Sequence, residues 1–287
     1  MKKRTALLGG FLILAMLGAC QGTSIPPASE TPLPSPTITP TFTPVPSATP
    51  QPSPTLPPFT ATPANTIFDA LDQNGTWEVY TEGSPTWYLG NVANPSLDGN
   101  ALQCSIRGGV SYSNVHCYQN LPEMPGAVDF ELNLSFWFSS STCNNQNGTS
   151  VVQALEFTMN KWQDGQRYEF ALQWQNVGSG APQWRYWDPN NTEKWTEFLP
   201  QVTECLAGDR WNTLRLTGNI LDGQVHYKSF TINGQEHPMD VAIAPVSTPD
   251  EPNRLAIAVQ LDGNASQTPY DVFVDDVFLT VGSTFGP

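Results

Sequence analysis

Residues 128–138 have the sequence VDFELNLSFWF, in which apolar and polar side chains alternate almost without a break. Successive side chains of a β-strand point to opposite faces, so this period of two predicts a strand with one face in a core and the other outside. The predicted inner face holds Val128, Phe130, Leu132, Leu134, Phe136 and Phe138, and the outer face holds Asp129, Glu131, Asn133, Ser135 and Trp137.

The same alternation recurs along the rest of the chain, and no long helical period interrupts it. It occurs in residues 101–107, 115–121, 151–159, 168–177, 183–187, 212–216, 224–232 and 255–261. The dipeptide Asn233-Gly234 lies where a tight hairpin turn is expected. Many short strands separated by turn-forming residues predict an all-β domain, built as an antiparallel two-sheet β-sandwich.

Residues 270–281 form the last predicted strand, and the parity of their apolar side chains changes partway along it. Val272 and Val274 share one parity, whereas Val277, Leu279 and Val281 share the other. A β-bulge at Asp275-Asp276 would keep all five side chains on the inner face.

Residues 1–20 have the pattern of an export signal. Lys2, Lys3 and Arg4 precede an apolar run that is too short to span a bilayer comfortably. The run ends in Leu17-Gly18-Ala19-Cys20, which resembles the lipobox of bacterial lipoproteins and implies acylation of Cys20. The alternative is an ordinary secretory signal with a cysteine at this position by chance. We expect a protein of the cell envelope, held at the membrane through its lipid alone, with its domain facing the outside of the cell or the periplasm.

Residues 21–66 are dominated by Pro, Thr and Ser, with Glu30 as their charged residue. Such a segment builds no core and predicts a disordered linker, which in polyproline II conformation would extend on the order of 140 Å.

Residues 67–287 then form one domain. Without Lys2, Lys3, Arg4 and Glu30, the 12 basic and 26 acidic residues of the chain fall to 9 and 25, a net charge of −16 for that domain. This charge argues against binding to nucleic acid or to an anionic lipid surface.

Four cysteines lie in the domain, and an even number in an exported protein predicts disulfides. Three pairings are possible. We favour Cys104 with Cys117, because residues 101–107 and 115–121 look like two strands of a hairpin joined through Gly108-Gly109. Cys143 and Cys205 would then form the second pair. Zinc binding is the alternative, but the sequence has no CxxC motif or nearby histidine cluster to support it.

Residues 151–160, VVQALEFTMN, resemble the strand of concanavalin A-like lectins and glucanases that carries a Glu-Phe-Asp core. The Trp-rich segment 183–187, Cys205, the strand start at residues 211–214 and the closing strand strengthen the resemblance, which covers about residues 130–280. The chain is thus similar to a bacterial lipoprotein with a concanavalin A-like (LamG-like) jelly-roll domain of undefined function. The resemblance implies a fold and not an activity, because this fold hosts lectins, hydrolases, lyases and inert spacers.

Hydrolases of the laminarinase type carry the pattern Glu-x-Asp-x-x-Glu on this strand, which supplies two catalytic carboxylates. Here Glu156 occupies the first position, but Thr158 and Lys161 occupy the other two. We therefore predict no intact catalytic carboxylate pair and no catalytic residue, and a binding protein rather than an enzyme. The same change weakens metal ligation of the kind found in legume lectins.

The outward parity of several strands collects side chains suited to sugars. Amides, a carboxylate and a guanidinium form hydrogen bonds with hydroxyl groups, and tryptophan rings stack on pyranose faces. We predict a surface-anchored carbohydrate-binding module whose glycan contacts come from Trp137, Glu156, Gln173, Gln175, Arg185 and Trp187. The same strands place Asn133, Ser135, Thr158 and Glu169 on the predicted face. The alternatives are a solvated face that binds nothing, a hydrolase or lyase with an atypical site, and an envelope protein that binds a protein partner.

No cofactor motif is present in the sequence. Asp271, Asp275 and Asp276 could take part in a structural calcium site, as in related sandwiches, although acidic residues at the end of a surface strand are more common. The three histidines, His116, His226 and His237, are scattered, and we expect structural roles for them.

Overall fold

The computed structural model describes residues 65–139, 151–176 and 181–283. The predicted signal segment with Cys20, residues 21–64 of the predicted linker and Cys143 lie outside the described residues.

The described chain is almost entirely β-structure. It contains, in order, β1 (Thr66–Phe68), α1 (Leu71–Asn74), β2 (Trp77–Glu82), β3 (Thr86–Val92), β4 (Ala101–Arg107), β5 (Asn114–Leu121), β6 (Asp129–Phe138), β7 (Val152–Gln163), β8 (Gln166–Gln175), β9 (Gln183–Trp187), β10 (Trp195–Glu197), β11 (Asn212–Leu221), β12 (Gln224–Ile232), β13 (Gln235–Ile243), β14 (Val246–Ser247), β15 (Arg254–Gly263) and β16 (Tyr270–Gly282). Among the residues described, no helix is long and apolar enough to cross a membrane.

The strands form two antiparallel sheets of eight strands each. Sheet A has the order β13-β12-β11-β6-β16-β4-β3, with β1 paired to β16. Sheet B has the order β10-β9-β8-β7-β15-β5-β2, with β14 paired to β8. The predicted antiparallel β-sandwich is confirmed. The predicted turn at Asn233-Gly234 joins β12 to β13, and both residues have the positive φ angles that such a turn requires.

The core lies between the two sheets and is rich in aromatic rings. Phe136 of β6 packs against Phe157 of β7 with 4.7 Å between ring centroids, and Trp184 of β9 packs against Phe230 of β12 at 5.4 Å. Trp174 is also fully buried, as the parity of β8 predicts. Burial of each large apolar side chain contributes roughly 1.5–3 kcal/mol, so this layer holds the sheets together.

The predicted bulge in the last strand is confirmed. The pairing of β16 with β6 shifts register between Asp275 and Phe278, and Asp276 has a φ of 52°. As a result, Val272 and Val274 before the bulge and Val277 after it are all buried.

The predicted Cys104–Cys117 disulfide is present, but the two strands that carry it are not a hairpin. β4 pairs with β3 and β16 in sheet A, whereas β5 pairs with β15 and β2 in sheet B. The short Gly-rich connection therefore crosses from one sheet to the other, and the disulfide links the two sheets through the core. Cys205 is also disulfide-bonded, and the predicted partner, Cys143, lies outside the described residues.

Candidate functional site

The outer face of sheet B carries an unbroken row of polar side chains, which we call the polar row. Residues that pair directly across antiparallel neighbours have side chains that lie side by side across the sheet, and we call each such line of paired residues a register. The row crosses six adjacent strands, from β5 to β10, and consists of His116, Gln260, Glu156, Gln173, Arg185 and Glu197.

The next register on the same face is built from small side chains. Ala258, Thr158 and Ala171 stand opposite one another on β15, β7 and β8. Tyr118 of β5 stands opposite Ala258 and closes this row at one end. At the other end Tyr186 pairs with Leu172, so the next residue of β9, Trp187, extends the row beyond Ala171. Trp187 is itself braced by Trp195, with 5.0 Å between their ring centroids.

A third register completes the shape. Asn160 and Glu169 stand opposite each other on β7 and β8, on the far side of the small side chains from the polar row. From the sizes of these side chains we infer a trough that runs across the strands, with Ala258, Thr158 and Ala171 as its floor. Strands lie about 4.8 Å apart, so the trough measures about 19 Å from β5 to β9.

A chain of hydrogen bonds fixes the orientation of the polar row. Arg185 donates to the carbonyl oxygen of the Gln173 side chain, and Gln173 Nε2 donates to Glu156 Oε1 at 2.5 Å. The side chains of Glu156 and Asp262 are hydrogen-bonded to each other, and Gln260 Nε2 donates to Asp262 Oδ1 at 2.7 Å. Asp262 lies two residues after Gln260 on β15, on the same face of the sheet and diagonal to Glu156.

Glu156 and Asp262 form a carboxyl pair in a position where charge is costly. Burial raises the pKa of Glu156 well above its usual value, and the negative charge of Asp262 raises it further. Burial also raises the pKa of Asp262 to about 6. A hydrogen bond between two carboxyl groups requires a proton on one of them, and the raised pKa values of both groups favour such a shared proton.

Several polar atoms of the trough are buried without a hydrogen-bond partner in the described part of the chain. They include Asn160 Oδ1, His116 Nε2 and Arg185 Nε. Asn160 is only 8% exposed, and burial lowers the pKa of His116, which favours its neutral form. Buried polar groups are nearly always satisfied, so these three atoms call for water or a ligand.

The trough is held from behind by a tyrosine of the opposite sheet. Tyr227 of β12 is buried, and its hydroxyl oxygen accepts a hydrogen bond from the backbone N–H of Ala171 at 2.9 Å. The same hydroxyl lies 3.2 Å from the carbonyl oxygen of Trp187. Tyr227 therefore ties β8 to β9 at the end of the trough where the Trp187 ring stands.

Five of the six side chains predicted to bind glycan lie on the outer face of sheet B. Glu156, Gln173 and Arg185 belong to the polar row, Gln175 lies on the same face of β8, and Trp187 ends the trough. The prediction that all six share one surface is wrong for the sixth.

Trp137 lies on the outer face of sheet A, where its ring packs on Phe273 with 5.2 Å between centroids. Asn133 and Ser135 are on that face as well. These three side chains lie on sheet A because β6 pairs there with β11 and β16, whereas β7 and β8 belong to sheet B. Alternation shows which side chains share a face of one strand, but it does not show which sheet a strand joins.

The sequence reasoning missed four polar residues of the site: His116, Asn160, Gln260 and Asp262. His116 and Gln260 have the outward parity of strands that the sequence did predict, so the same alternation rule would have placed them on an outer face. Asn160 and Asp262 also have outward parity, but each lies one residue beyond the predicted end of its strand. Their position beside Glu156 depends on β15 lying between β5 and β7, which no local pattern indicates.

Two of the three aspartates predicted as possible calcium ligands, Asp271 and Asp275, are occupied by protein partners. Asp271 accepts hydrogen bonds from Ser105 and Arg107, both at 2.5 Å. Asp275 accepts from Ser96 Oγ at 2.9 Å and from the backbone N–H of Leu97 at 2.6 Å. Within residues 65–139, 151–176 and 181–283, no group of three or more His, Cys, Asp or Glu side chains is placed to hold a metal ion.

No protein-family model matches the chain, and no curated protein matches it. Solved structures do resemble it. The endo-β-1,4-glucuronan lyase of the fungus Trichoderma reesei is 16% identical, with a TM-score of 0.47 over 77% of this chain and 95% of that one. The alginate lyase Aly36B is 11% identical, with a TM-score of 0.43 over 77% and 97%.

A third similar structure is the family 11 carbohydrate-binding module of Clostridium thermocellum, in complex with a β-1,3-1,4-mixed-linked tetrasaccharide. It is 12% identical, with a TM-score of 0.37 over 77% of this chain and 96% of that one. At these identities and TM-scores the similarities carry no argument about function, which depends on the site itself.

Proposed function

We propose that this protein binds a glycan in the trough on the outer face of sheet B. The observation that carries the proposal is the arrangement of paired residues on this face, in which the small side chains of Ala258, Thr158 and Ala171 lie between two rows of polar side chains. The trough length of about 19 Å suits an extended oligosaccharide lying across the strands.

The chemistry of the borders matches that of sugar hydroxyls, each of which both donates and accepts a hydrogen bond. Asn160 Oδ1 is an acceptor without a protein partner, and Arg185 Nε is a donor without one, among the residues described. Bound hydroxyl groups would satisfy both. The rings of Trp187 and Tyr118 stand at the two ends, where aromatic faces can stack on pyranose rings.

A glycan array with the full-length protein in mild detergent tests the proposal. The expected result is selective binding that is lost in Trp187→Ala. Trp137→Ala is the matched control, because it removes the same side chain from the opposite sheet. Loss of binding in both variants, or in the control alone, would contradict the placement of the site.

The carboxyl pair supports a second candidate function, cleavage of the bound glycan. A protonated carboxyl group beside a carboxylate is a combination that general acid–base catalysis uses. Hydrolysis by two flanking carboxylates requires a gap of about 5 Å or more for the sugar, whereas Glu156 and Asp262 are hydrogen-bonded to each other. Binding is therefore our leading proposal. Polysaccharide cleavage that disappears in Glu156→Gln would establish the second function.

We also propose that the domain is displayed at the cell envelope through acylation of Cys20. The support is the lipobox-like sequence that ends in Cys20. Metabolic labelling with a fatty acid tests it: wild type should incorporate the label and Cys20→Ser should not. Equal labelling of both would refute the anchor.

A further inference from the structure

The charges of the trough determine which glycans fit it, and this inference rests on the proposed function. Six acidic side chains lie on the outer face of sheet B: Glu78, Glu82, Glu156, Glu169, Glu197 and Asp262. The basic side chains on or beside this face are Arg167, Arg185, Lys194 and Arg254.

Three of the four basic groups are already engaged at the edges of the trough. Arg167 lies 2.9 Å from Glu169. Arg254 lies 2.8 Å from Glu251, and its guanidinium stacks 3.9 Å above the ring of Trp162. Lys194 Nζ lies 5.6 Å above the ring of Trp187. These contacts leave Arg185 as the basic group within the polar row.

Arg185 is poorly placed to receive an anion. One of its amino groups donates to Gln173, which reduces the free donors available for a bidentate grip on a carboxylate. The carboxyl groups of Glu156, Asp262 and Glu197 all act on the guanidinium electrostatically. A ligand carboxylate near Arg185 would face these same three groups.

The two internal segments outside the described residues add no charge to the domain. Residues 140–150 and 177–180 contain no Asp, Glu, Lys or Arg in the sequence. The field over the trough is thus set by the described side chains and by the acidic domain as a whole.

We propose that the trough selects uncharged glycans and excludes polyuronates, with the Glu156–Asp262 pair acting as the specificity determinant. The pair accepts hydrogen bonds from neutral hydroxyl groups, and its negative charge repels an acidic sugar. The recognised class is a neutral, hydroxyl-rich polysaccharide in an extended conformation.

Matched polysaccharides test this selectivity. A panel of neutral glucans, mannans and galactans is compared with the same polymers oxidised at C6 to uronates, by affinity electrophoresis of the full-length protein at two salt concentrations. We expect binding to one or more neutral polymers, with roughly tenfold or greater loss on oxidation and partial recovery at high salt. Equal or tighter binding of the oxidised polymer would overturn the selectivity and leave glycan binding standing. Binding of no polymer, neutral or oxidised, would overturn the proposed function itself.

Charge removal gives the second arm of the test. The double variant Glu156→Gln/Asp262→Asn should raise the affinity for the oxidised polymer relative to the neutral one severalfold. Glu131→Gln, which removes a carboxylate from the outer face of sheet A, is the control and should leave that ratio unchanged. An unchanged ratio in the double variant would show that the pair does not set the selectivity.

Discussion

Trp137 and Trp187 are both partly exposed tryptophans, and they lie on the outer faces of opposite sheets. Trp137 stands on β6 in sheet A, against Phe273, and Trp187 stands at the end of β9 in sheet B, against Trp195. The sandwich core separates the two rings, so a ligand in the trough contacts one of them and not the other.

Replacement of Trp187 by alanine should therefore weaken glycan binding by about tenfold or more, since stacking on an aromatic ring contributes on the order of 1 kcal/mol beyond the area it buries. Trp137→Ala should retain wild-type affinity. Isothermal titration with the best array ligand gives both values. Similar losses in the two variants would argue against a trough ligand and for a general effect on the fold.

The carboxyl pair should make stability depend on pH in a defined direction. The pKa of Glu156 is raised well above 4.5, and that of Asp262 is raised from 3.8 to about 6. At pH values between the unfolded and the folded pKa of each group, the folded state binds more protons than the unfolded state. The free energy of unfolding therefore falls as pH rises from about 4 through 6.

The variant Glu156→Gln/Asp262→Asn lacks this contribution, whereas the raised pKa values of Asp72 and Glu169 are common to both proteins. Wild type and variant should be similar in stability at pH 4, and wild type should be less stable by roughly 1–3 kcal/mol at pH 7. Urea unfolding across this range measures the difference. A constant difference at all pH values would mean that the pair does not titrate in the folded protein as described.

Tyr227 should matter more for stability than another buried tyrosine with a similar hydroxyl. Tyr227→Phe leaves the Ala171 N–H without the acceptor it has in the wild type, and an unsatisfied buried donor costs about 1–3 kcal/mol. Tyr270 donates to the carbonyl oxygen of Asp262 at 2.9 Å, and Tyr270→Phe removes a donor without orphaning an N–H group. Denaturant unfolding of the two variants makes the comparison, and a smaller loss in Tyr227→Phe would contradict it.

The Cys104–Cys117 disulfide closes a loop with a sequence separation of 13 and joins the two sheets. Loop-closure entropy for a loop of about this length corresponds to about 3 kcal/mol of stability. The double variant Cys104→Ala/Cys117→Ala, in which Cys205 is kept, should have a urea midpoint lowered by a corresponding amount. An unaltered midpoint would show that core packing alone holds the sheets in register.

The sequence was sufficient for the fold class because the alternation in residues 128–138 and its repeats is a local property of each strand. The bulge at Asp275-Asp276 was equally readable, since without a bulge the change of parity would turn the later valines out of the core. The Cys104–Cys117 pair was predicted correctly for an incorrect reason. A Gly-rich connection fits a hairpin and a crossover between sheets equally well, and local sequence does not distinguish them.

The site was predictable only in part because it depends on the order of strands. Glu156, Gln173 and Arg185 lie on consecutive strands β7, β8 and β9, which pair as neighbours in sequence commonly do. His116, Gln260 and Asp262 reach the site because β15 pairs with β7 and β5. Those contacts span about a hundred residues and more, and they are determined by packing of the whole domain rather than by any segment of it.

The position of β16 has a consequence for the order in which the protein folds. This strand lies between β6 and β4 in the interior of sheet A, although β4 and β6 precede it in the chain by more than a hundred residues. Until residues 270–282 are available, a nascent chain has two separate fragments of sheet A, each with an open edge that can pair with another molecule. Such long-range closure gives a high contact order and slow, all-or-none folding. We therefore expect the newly made chain to be prone to aggregation until β16 is in place.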